Sequence, residues 1–153
     1  MPFSCKNHGI IRLATSSDAL EALALQGEVT GLSPDRAREI LDSAIAASEC
    51  LVHVDVSDEV TGFVITNARA FFGRDFIKLL IIAPTRRHTG IGRSLLEAAV
   101  SGASTATIFS STNESNVAMR AMFEHDGWTL SGVLSGIDEG DPEMVFYRHH
   151  VLA

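Results

Sequence analysis

The sequence predicts one α/β (α+β) domain, residues 1–153, built on a mixed, mostly antiparallel and twisted sheet of about seven strands with about four flanking helices. The 153 residues are 46% hydrophobic and 20% charged, which is ordinary for a globular chain that can bury a core. The hydrophobic period changes along the chain and gives the order strand, two helices, three strands, helix, strand, helix, two strands. Hairpins join antiparallel strands and helices join parallel ones, so this order requires both kinds of pairing in one sheet.

The first third of the chain predicts one strand and two helices. The strand spans residues 10–14. Asp18 followed by Glu21 resembles a capping box and starts a short helix. Ser33 as N-cap and Pro34 at the first helical position start a longer helix. Its apolar residues recur at helical spacing: Ala37, Ile40, Leu41, Ala44 and Ile45.

The middle of the chain predicts a hairpin followed by the central strand. Valines alternate with polar residues over 52–56, and a second strand spans 60–70, so the two form an antiparallel pair across a short turn. The apolar run 76–82 is broken only by Lys78, and we expect this strand to be covered on both faces. Pro84 cannot donate a ladder hydrogen bond, so the strand should end before it.

The last part of the chain alternates helices and strands. Ile91, Leu95 and Ala98 fall on one face of a helix. The remaining predicted elements are a strand over 105–110, a helix around 117–122 that ends at Gly127, and two closing strands over 128–134 and 144–150.

A basic, glycine-containing turn joins the central strand to the helix that follows it. It holds Arg86, Arg87, Gly90 and Gly92. The first amides of a helix lack partners and carry the positive end of its dipole, and glycines let a ligand approach the backbone. Such a turn can hold a diphosphate, although a basic loop that merely starts a helix has the same composition. The turn lacks the third glycine of a dinucleotide fingerprint and the Gly-Lys-Ser/Thr of a Walker A loop.

The segment Arg87-His88-Thr89-Gly90-Ile91-Gly92 resembles the [Q/R]-x-x-G-x-[G/A] signature of the GNAT family of N-acetyltransferases. The order of elements is also similar, so the resemblance covers almost the whole chain. It implies the GNAT acyl-CoA N-acyltransferase fold, with acetyl-CoA as the acyl-donor cosubstrate. It implies that Ile82 gives backbone contacts to the pantetheine arm. The residues implied to line the diphosphate are Arg87, His88, Thr89, Gly90, Ile91, Gly92 and Arg93.

A second segment, residues 116–128, resembles the family's N-x-x-A-x-x-x-Y-E-x-x-G-[F/Y] motif. Asn116, Glu124 and Gly127 match the motif, and Trp128 is aromatic like the residue at the motif's last position. Alone, the segment would be an amphipathic helix with a glycine C-cap. The resemblance implies cofactor contacts from Asn116 and Phe123. At the position of Phe123, many members of the family carry a tyrosine that protonates the leaving thiolate. Phenylalanine can pack there but cannot donate a proton.

The sequence does not identify a catalytic acid or base. Ser111 lies where some relatives carry a carboxylate, and a serine is a poor base. Asp55 and Asp75 are the alternatives, although solvated loop or edge carboxylates have the same appearance in a sequence. The catalytic residues are therefore unassigned. We expect catalysis to depend on holding the amine and the thioester together.

The acidic connection, residues 135–143, joins the two closing strands. Its carboxylates are Asp138, Glu139, Asp141 and Glu143. An exposed hairpin loop is the simpler interpretation, because acid- and glycine-rich turns are common. A collar that attracts a cationic amine is the alternative, and for that role we single out Asp138 and Glu139.

Composition excludes several other classes of protein. The net charge of -7 disfavours a nucleic-acid binder. No apolar run reaches the length of a membrane span, and the first ten residues contain no signal-peptide core. With two cysteines that we expect to be reduced, the protein is predicted to be cytoplasmic. His149 and His150 should point to opposite faces of a strand, so no metal site is predicted.

The residues and the resemblance together predict an acetyl-CoA-dependent N-acetyltransferase acting on a primary amine of a small molecule or peptide. A non-catalytic acyl-CoA-binding sensor or regulatory module is the alternative, favoured by Phe123 and Ser111. A dinucleotide-binding protein is a weaker one. The resemblance leaves a homodimer open, and it does not identify the amine.

Overall fold

A computed structural model describes residues 3–5, 9–27 and 31–152. Eight strands and four α-helices are present among them. In chain order they are β1 (Phe3–Cys5), β2 (Gly9–Leu13), α1 (Ala19–Gly27), α2 (Pro34–Ala46), β3 (Cys50–Asp55), β4 (Val60–Phe71), β5 (Arg74–Ile82), α3 (Ile91–Ser101), β6 (Thr107–Asn113), α4 (Val117–His125), β7 (Thr129–Leu134) and β8 (Glu143–His149). Short 3-10 turns span Ser16–Asp18 and Pro84–Arg86. The predicted order of elements is confirmed, with β1 as an additional strand.

The chain forms two compact units, and β4 and β5 contribute to both. The first unit contains residues 1–67 and 79–102, and the second contains residues 68–78 and 103–153. The prediction of a single domain stays a prediction. In the first unit the strand order is β1-β2-β3-β4-β5, and in the second it is β5-β6-β8-β7. The pairs β1–β2, β2–β3 and β3–β4 are antiparallel. β5 and β6 are parallel, while β8 is antiparallel to both β6 and β7. The predicted mixed sheet is confirmed.

The core of the first unit is formed by helices α1 and α2 packed on the sheet. The most deeply buried members of this cluster are Leu41, Val52, Phe63 and Ile65, each fully inaccessible to solvent. Ser33 caps α2 as predicted, because its hydroxyl accepts a hydrogen bond from the Arg36 amide at 3.3 Å.

The start of α1 differs from the prediction. The capping box is formed by Thr15 and Asp18, not by Asp18 and Glu21. The Thr15 amide donates to the Asp18 carboxylate at 2.8 Å, and Arg12 donates to the same carboxylate at 2.8 Å. Glu21 instead accepts a hydrogen bond from the Val60 amide at 3.0 Å. The Glu21 carboxylate, which the local sequence pattern assigned to the helix cap, therefore binds an amide that lies 39 residues further along the chain.

The core of the second unit is aromatic. Phe123 on α4 stacks on Phe146 of β8, with ring centroids 4.7 Å apart, and also contacts Trp128 at 5.0 Å. Helix α4 ends as predicted at Gly127, which has a φ of +82°. The Trp128 amide then donates to the Phe123 carbonyl at 3.0 Å, which is the hydrogen bond of a Schellman motif.

The central strand is not covered on both faces, contrary to the expectation from its apolar run. Ile77 and Ile81 are buried, but Lys78 is exposed, and Leu80 and Ile82 are only partly buried. One face of β5 therefore packs in the core while the alternate residues keep contact with solvent. Strand β6 also begins later than predicted, at Thr107, because the Thr105 hydroxyl is used in turn hydrogen bonds with Asp75 and Thr107.

Candidate functional site

The turn between β5 and α3 is anchored at its start by main-chain hydrogen bonds. The amide of Ala83, directly after the strand, donates to the Thr61 carbonyl on β4 at 2.8 Å. Pro84 then opens the 3-10 turn, and the Arg86 amide donates back to Ala83 at 2.8 Å. The path of the chain is thus fixed on β4 before the exposed part of the turn begins.

The charge of Arg86 is used within the protein. Its guanidinium group donates to the Asp55 carboxylate at 2.7 Å and lies 3.8 Å from Glu59. Asp55 also accepts hydrogen bonds from the Ser57 amide at 2.9 Å and the Glu59 amide at 3.0 Å. The backbone hydrogen bond from Glu59 first, then that from Ser57 and the pairing with Arg86, hold the pKa of Asp55 below its usual range. A weakly basic carboxylate with these partners anchors the turn, and the geometry does not support a role as general base.

The exposed part of the turn carries the residues that resemble the diphosphate signature. His88 and Gly90 both have positive φ, +61° and +87°, a conformation that glycine adopts without strain. Gly90 is the N-cap of α3, and its carbonyl accepts the first helical hydrogen bond, from the Ser94 amide at 3.0 Å. Seven predicted residues form this continuous segment: Arg87, His88, Thr89, Gly90 and Arg93, which are exposed, and Ile91 and Gly92, which are buried.

This arrangement presents several hydrogen-bond donors to one anion. The amides of residues 91–93 lie in the first turn of α3, where no carbonyl of the helix can accept from them. The helix dipole adds partial positive charge at the same end. Arg87 makes no ion pair with any residue that the structure describes. The turn can therefore bind a phosphate-bearing ligand.

Gly62 on β4 is a site residue that the sequence did not reveal. A methyl group at this position would lie 2.8 Å from the Ile82 Cδ1 atom, 3.0 Å from the Ile81 carbonyl and 3.2 Å from the Leu95 Cδ1 atom. The absence of a side chain lets the end of β5 and the helix α3 approach β4 closely. A single glycine inside a predicted strand was the available signal.

In the second unit, Asn116 caps helix α4. Its side-chain oxygen accepts from the Met119 amide at 3.2 Å, which satisfies one orphan donor of the helix. The amide nitrogen of Asn116 makes no hydrogen bond to a residue within the described ranges. The exposed side chain therefore has a fixed orientation and a free donor.

Phe123 and Ser111 are the two positions at which the sequence resemblance led us to look for an acid and a base. Phe123 is fully buried in the aromatic core, so its contact with a cofactor stays a prediction. Ser111 lies on β6 opposite Val145 of β8 and is partly buried. The structure gives neither residue an acid or base function.

Asp75, the other sequence candidate for a base, is a structural carboxylate. It is 3% exposed. Its oxygens accept from the Arg69 amide at 3.0 Å, the Ser104 amide at 2.7 Å and the Ser104 hydroxyl at 2.8 Å. These donors occupy the carboxylate, which joins the end of β4 to the segment before β6.

The acidic connection is partly engaged by hydrogen bonds within the second unit. Asp138 accepts from the Asn113 side chain at 2.8 Å, and Asp141 accepts from the Ser115 amide at 3.0 Å. Glu139 is exposed and has no partner in the part of the chain that the structure describes. Of the two predicted acceptor-binding residues, only Glu139 thus has an unengaged carboxylate.

Neither a metal-binding cluster nor a membrane-spanning helix occurs in the part of the chain that the structure describes. No cluster of three or more histidine, cysteine, aspartate or glutamate side chains with the geometry to hold a metal occurs within residues 3–5, 9–27 and 31–152. None of the helices in these ranges combines the length and apolar character that crossing a bilayer requires.

The fold and the turn define a class of α/β proteins that bind an anionic cofactor at the start of a helix. A model of the acetyltransferase (GNAT) family matches residues 6–128, and the chain belongs to this family. Members transfer an acetyl group from acetyl-CoA. The predicted fold is thereby confirmed.

Solved structures agree with this membership. A GNAT-family acetyltransferase from Bacillus cereus is 33% identical, with a TM-score of 0.85 over 92% of this chain and 96% of that one. Ard1 from Thermoplasma volcanium is 16% identical, with a TM-score of 0.79 over 94% and 98% of the two chains. The Salmonella typhimurium protein yncA, solved with acetyl-CoA, is 16% identical, with a TM-score of 0.77 over 95% and 98%. The last two show the fold alone. Among curated proteins, none matches the chain significantly.

Proposed function

We propose that the protein is an acetyl-CoA-dependent N-acetyltransferase that acts on a primary amine of a small molecule or peptide. The observation that carries this proposal is the turn 87–93 at the start of α3, which is exposed except at Ile91 and Gly92 and lies inside the segment that matches the family model. Its unpaired amides and the Arg87 side chain present positive charge where the family signature occurs.

The proposed cofactor contacts are those that the family resemblance implies, and the local geometry supports them. The diphosphate of acetyl-CoA binds the amides of residues 91–93 and the side chains of Arg87 and Arg93. The partly buried Ile82, at the end of β5, offers its backbone to the pantetheine arm, as in the resembling family. The free amide nitrogen of Asn116 is a further donor to the cofactor.

Catalysis in this proposal depends on position and polarisation. Holding an amine against a thioester replaces a bimolecular encounter with an intramolecular one, and backbone donors stabilise the charge that develops on the thioester oxygen. Phe123 cannot protonate the departing thiolate. A thiol with a pKa of about 8.5 nevertheless leaves readily at neutral pH, so the reaction does not require an acid at this position.

The acceptor is proposed to be cationic before it reacts. Glu139 would attract such an amine by long-range charge. Asp138 would add to this attraction, although its carboxylate also accepts a hydrogen bond from Asn113. Exposed charges are screened over roughly 8–10 Å at physiological salt. The double variant Asp138→Asn with Glu139→Gln should therefore raise the KM for the amine, and added salt should do the same to the unaltered protein. If neither change affects the amine KM, the acidic connection is only a solvated turn.

A non-catalytic acyl-CoA sensor is the second candidate. The observation that favours it is the lack of a proton donor at Phe123 and of a carboxylate at Ser111. It requires acetyl-CoA binding without turnover. For either function we propose a cytoplasmic location and leave open a homodimer, whose presence a sedimentation experiment would decide.

The cofactor assignment can be tested with Gly92→Val, because a branched side chain at this buried position in the first turn of α3 should disturb the amides that are proposed to bind the diphosphate. A ligand at 100 times its Kd stabilises the unaltered protein by about 2.7 kcal/mol, a rise of roughly 5–10 °C in Tm. This rise should be largely absent in Gly92→Val. Gly102→Ala at the other end of α3 is the matched control, since its added methyl group meets its first neighbour at 3.5 Å. An undiminished rise in a folded Gly92→Val protein would refute the assignment.

A further inference from the structure

The turn that carries Asn116 is held in place by the acidic connection. We define the β6–α4 turn as residues 113–116. The Asp141 carboxylate binds both donors of Ser115, the amide at 3.0 Å and the hydroxyl at 2.5 Å. The Glu114 amide donates to the Pro142 carbonyl at 2.8 Å. Two adjacent residues of the turn are therefore bound through their backbone amides.

Asn113 also binds the acidic connection, through its side chain. Its side-chain nitrogen donates to the Asp138 carboxylate at 2.8 Å and to the Asp141 carbonyl at 3.2 Å. Five hydrogen bonds thus join the exposed β6–α4 turn to residues 138–142. Charge-assisted hydrogen bonds to a carboxylate are stronger than those between neutral groups, so Asp141 contributes most to this set.

The position of Asn116 depends on the same turn. The backbone amide of Asn116 donates to the Asn113 backbone carbonyl at 3.0 Å. The backbone carbonyl of Asn116 accepts from the Arg120 backbone amide at 3.1 Å. Arg120 also donates through its guanidinium group to the Glu114 carbonyl at 2.9 Å. Within the second unit, Asn116 is therefore held between the first turn of α4 and a turn that Asp141 fixes.

We infer that Asp141 is a positioning residue for the acyl donor, acting through Ser115 on the orientation of Asn116. This inference rests on the proposed function, in which the free amide nitrogen of Asn116 binds acetyl-CoA. It gives Asp141 a role on the cofactor side of the reaction, separate from the amine-attracting role proposed for Asp138 and Glu139. Asp141 itself touches neither substrate and is not a catalytic residue.

The expected effect is a loss of cofactor affinity. When a binding-competent conformation is only partly populated, the apparent Kd rises by the inverse of that fraction. A turn that is competent about one tenth to one third of the time would raise the Kd for acetyl-CoA roughly three- to tenfold. The KM for acetyl-CoA should rise by the same factor, while kcat at saturation and the amine KM should change little.

A double-mutant cycle with Asn116→Ala tests the inference. Asp141→Asn should raise the acetyl-CoA Kd, measured by calorimetry, in the unaltered background but not in the Asn116→Ala background, where the group being positioned is absent. A purely structural defect would act equally in both. Glu139→Gln, an exposed carboxylate of the same connection, is the matched control and should leave the acetyl-CoA Kd unchanged. Ser115→Ala removes one of the two donors to Asp141. It replaces Asp141→Asn in the cycle if that variant does not fold.

The outcomes separate this inference from the proposed function. An acetyl-CoA Kd that is equal in the Asp141→Asn and unaltered proteins, or that rises equally in both backgrounds, would overturn the positioning role while leaving the proposed function intact. If the unaltered protein does not bind acetyl-CoA, the proposed function fails, and the positioning role fails with it.

Discussion

Replacing Asp75 should destabilise the protein without removing a catalytic group. In Asp75→Asn an NH2 donor replaces one carboxylate oxygen. It then faces either the Arg69 amide, which lies 3.0 Å from one oxygen of Asp75, or the Ser104 amide, which lies 2.7 Å from the other. A buried donor left without an acceptor costs about 1–3 kcal/mol, and loss of the charge weakens the hydrogen bonds that persist. The two effects together should lower the free energy of unfolding by about 2–4 kcal/mol. For a chain of this length that corresponds to a fall in Tm of roughly 6–12 °C.

The assay combines thermal unfolding with turnover measured well below the unfolding midpoint. Loss of a general base would lower kcat by about 10²–10⁴-fold, whereas a structural carboxylate predicts a change of less than about threefold in the folded protein. Asp58→Asn is the control, because Asp58 is exposed in the hairpin turn and asparagine tolerates its positive φ of +65°. A hundredfold loss of kcat with an unchanged Tm would refute the structural assignment and restore Asp75 as a base.

Three further predictions concern buried side chains. Burial lowers the pKa of His53 below its ordinary value of 6.5, so the unfolded chain binds more protons as the pH falls below about 6.5. The free energy of unfolding should therefore fall between about pH 6.5 and pH 5 in the unaltered protein, and it should fall less in His53→Gln. If the free energies of unfolding of the two proteins change in parallel with pH, His53 makes no such contribution. Burial raises the pKa of the Cys50 thiol to about 12, so iodoacetamide at pH 8 should modify Cys50 only after unfolding, as judged by peptide mass spectrometry. Phe123→Tyr would bury a hydroxyl without a partner and should cost about 1–3 kcal/mol, with turnover of the folded protein unchanged or modestly raised. A large loss of turnover would show that an apolar contact at this position matters to the reaction.

The elements that were predicted correctly are those with short-range causes. The alternation of β3, the Ser33–Pro34 start of α2 and the Gly127 end of α4 each depend on residues within a few positions of one another. Backbone geometry decides such features locally, so one sequence is enough to find them.

The features that were missed depend on distant partners. Asp55 and Arg86 are 31 residues apart, and Asp75 and Ser104 are 29 apart. In the sequence each aspartate was a candidate base, but in the structure its oxygens are occupied by donors from elsewhere in the fold. The same holds for Asp141, whose hydrogen bonds to Ser115 turn an apparently solvated acidic residue into a support for the β6–α4 turn. A hydrogen bond between segments far apart in sequence leaves no local pattern, which is why these roles were not predicted.

Acetyl transfer to an amine can be measured most directly by following both products in one reaction. Acetyl-CoA and a library of primary amines, including short peptides, would be incubated with the protein; free CoA thiol would be quantified, and acetylated amines would be identified by mass spectrometry. The proposed function predicts that at least one amine yields equal amounts of CoA and acetyl-amine, and that Gly92→Val at limiting acetyl-CoA slows this transfer. Saturable acetyl-CoA binding with no acetyl-amine formed from any amine would contradict enzymatic transfer and support the sensor.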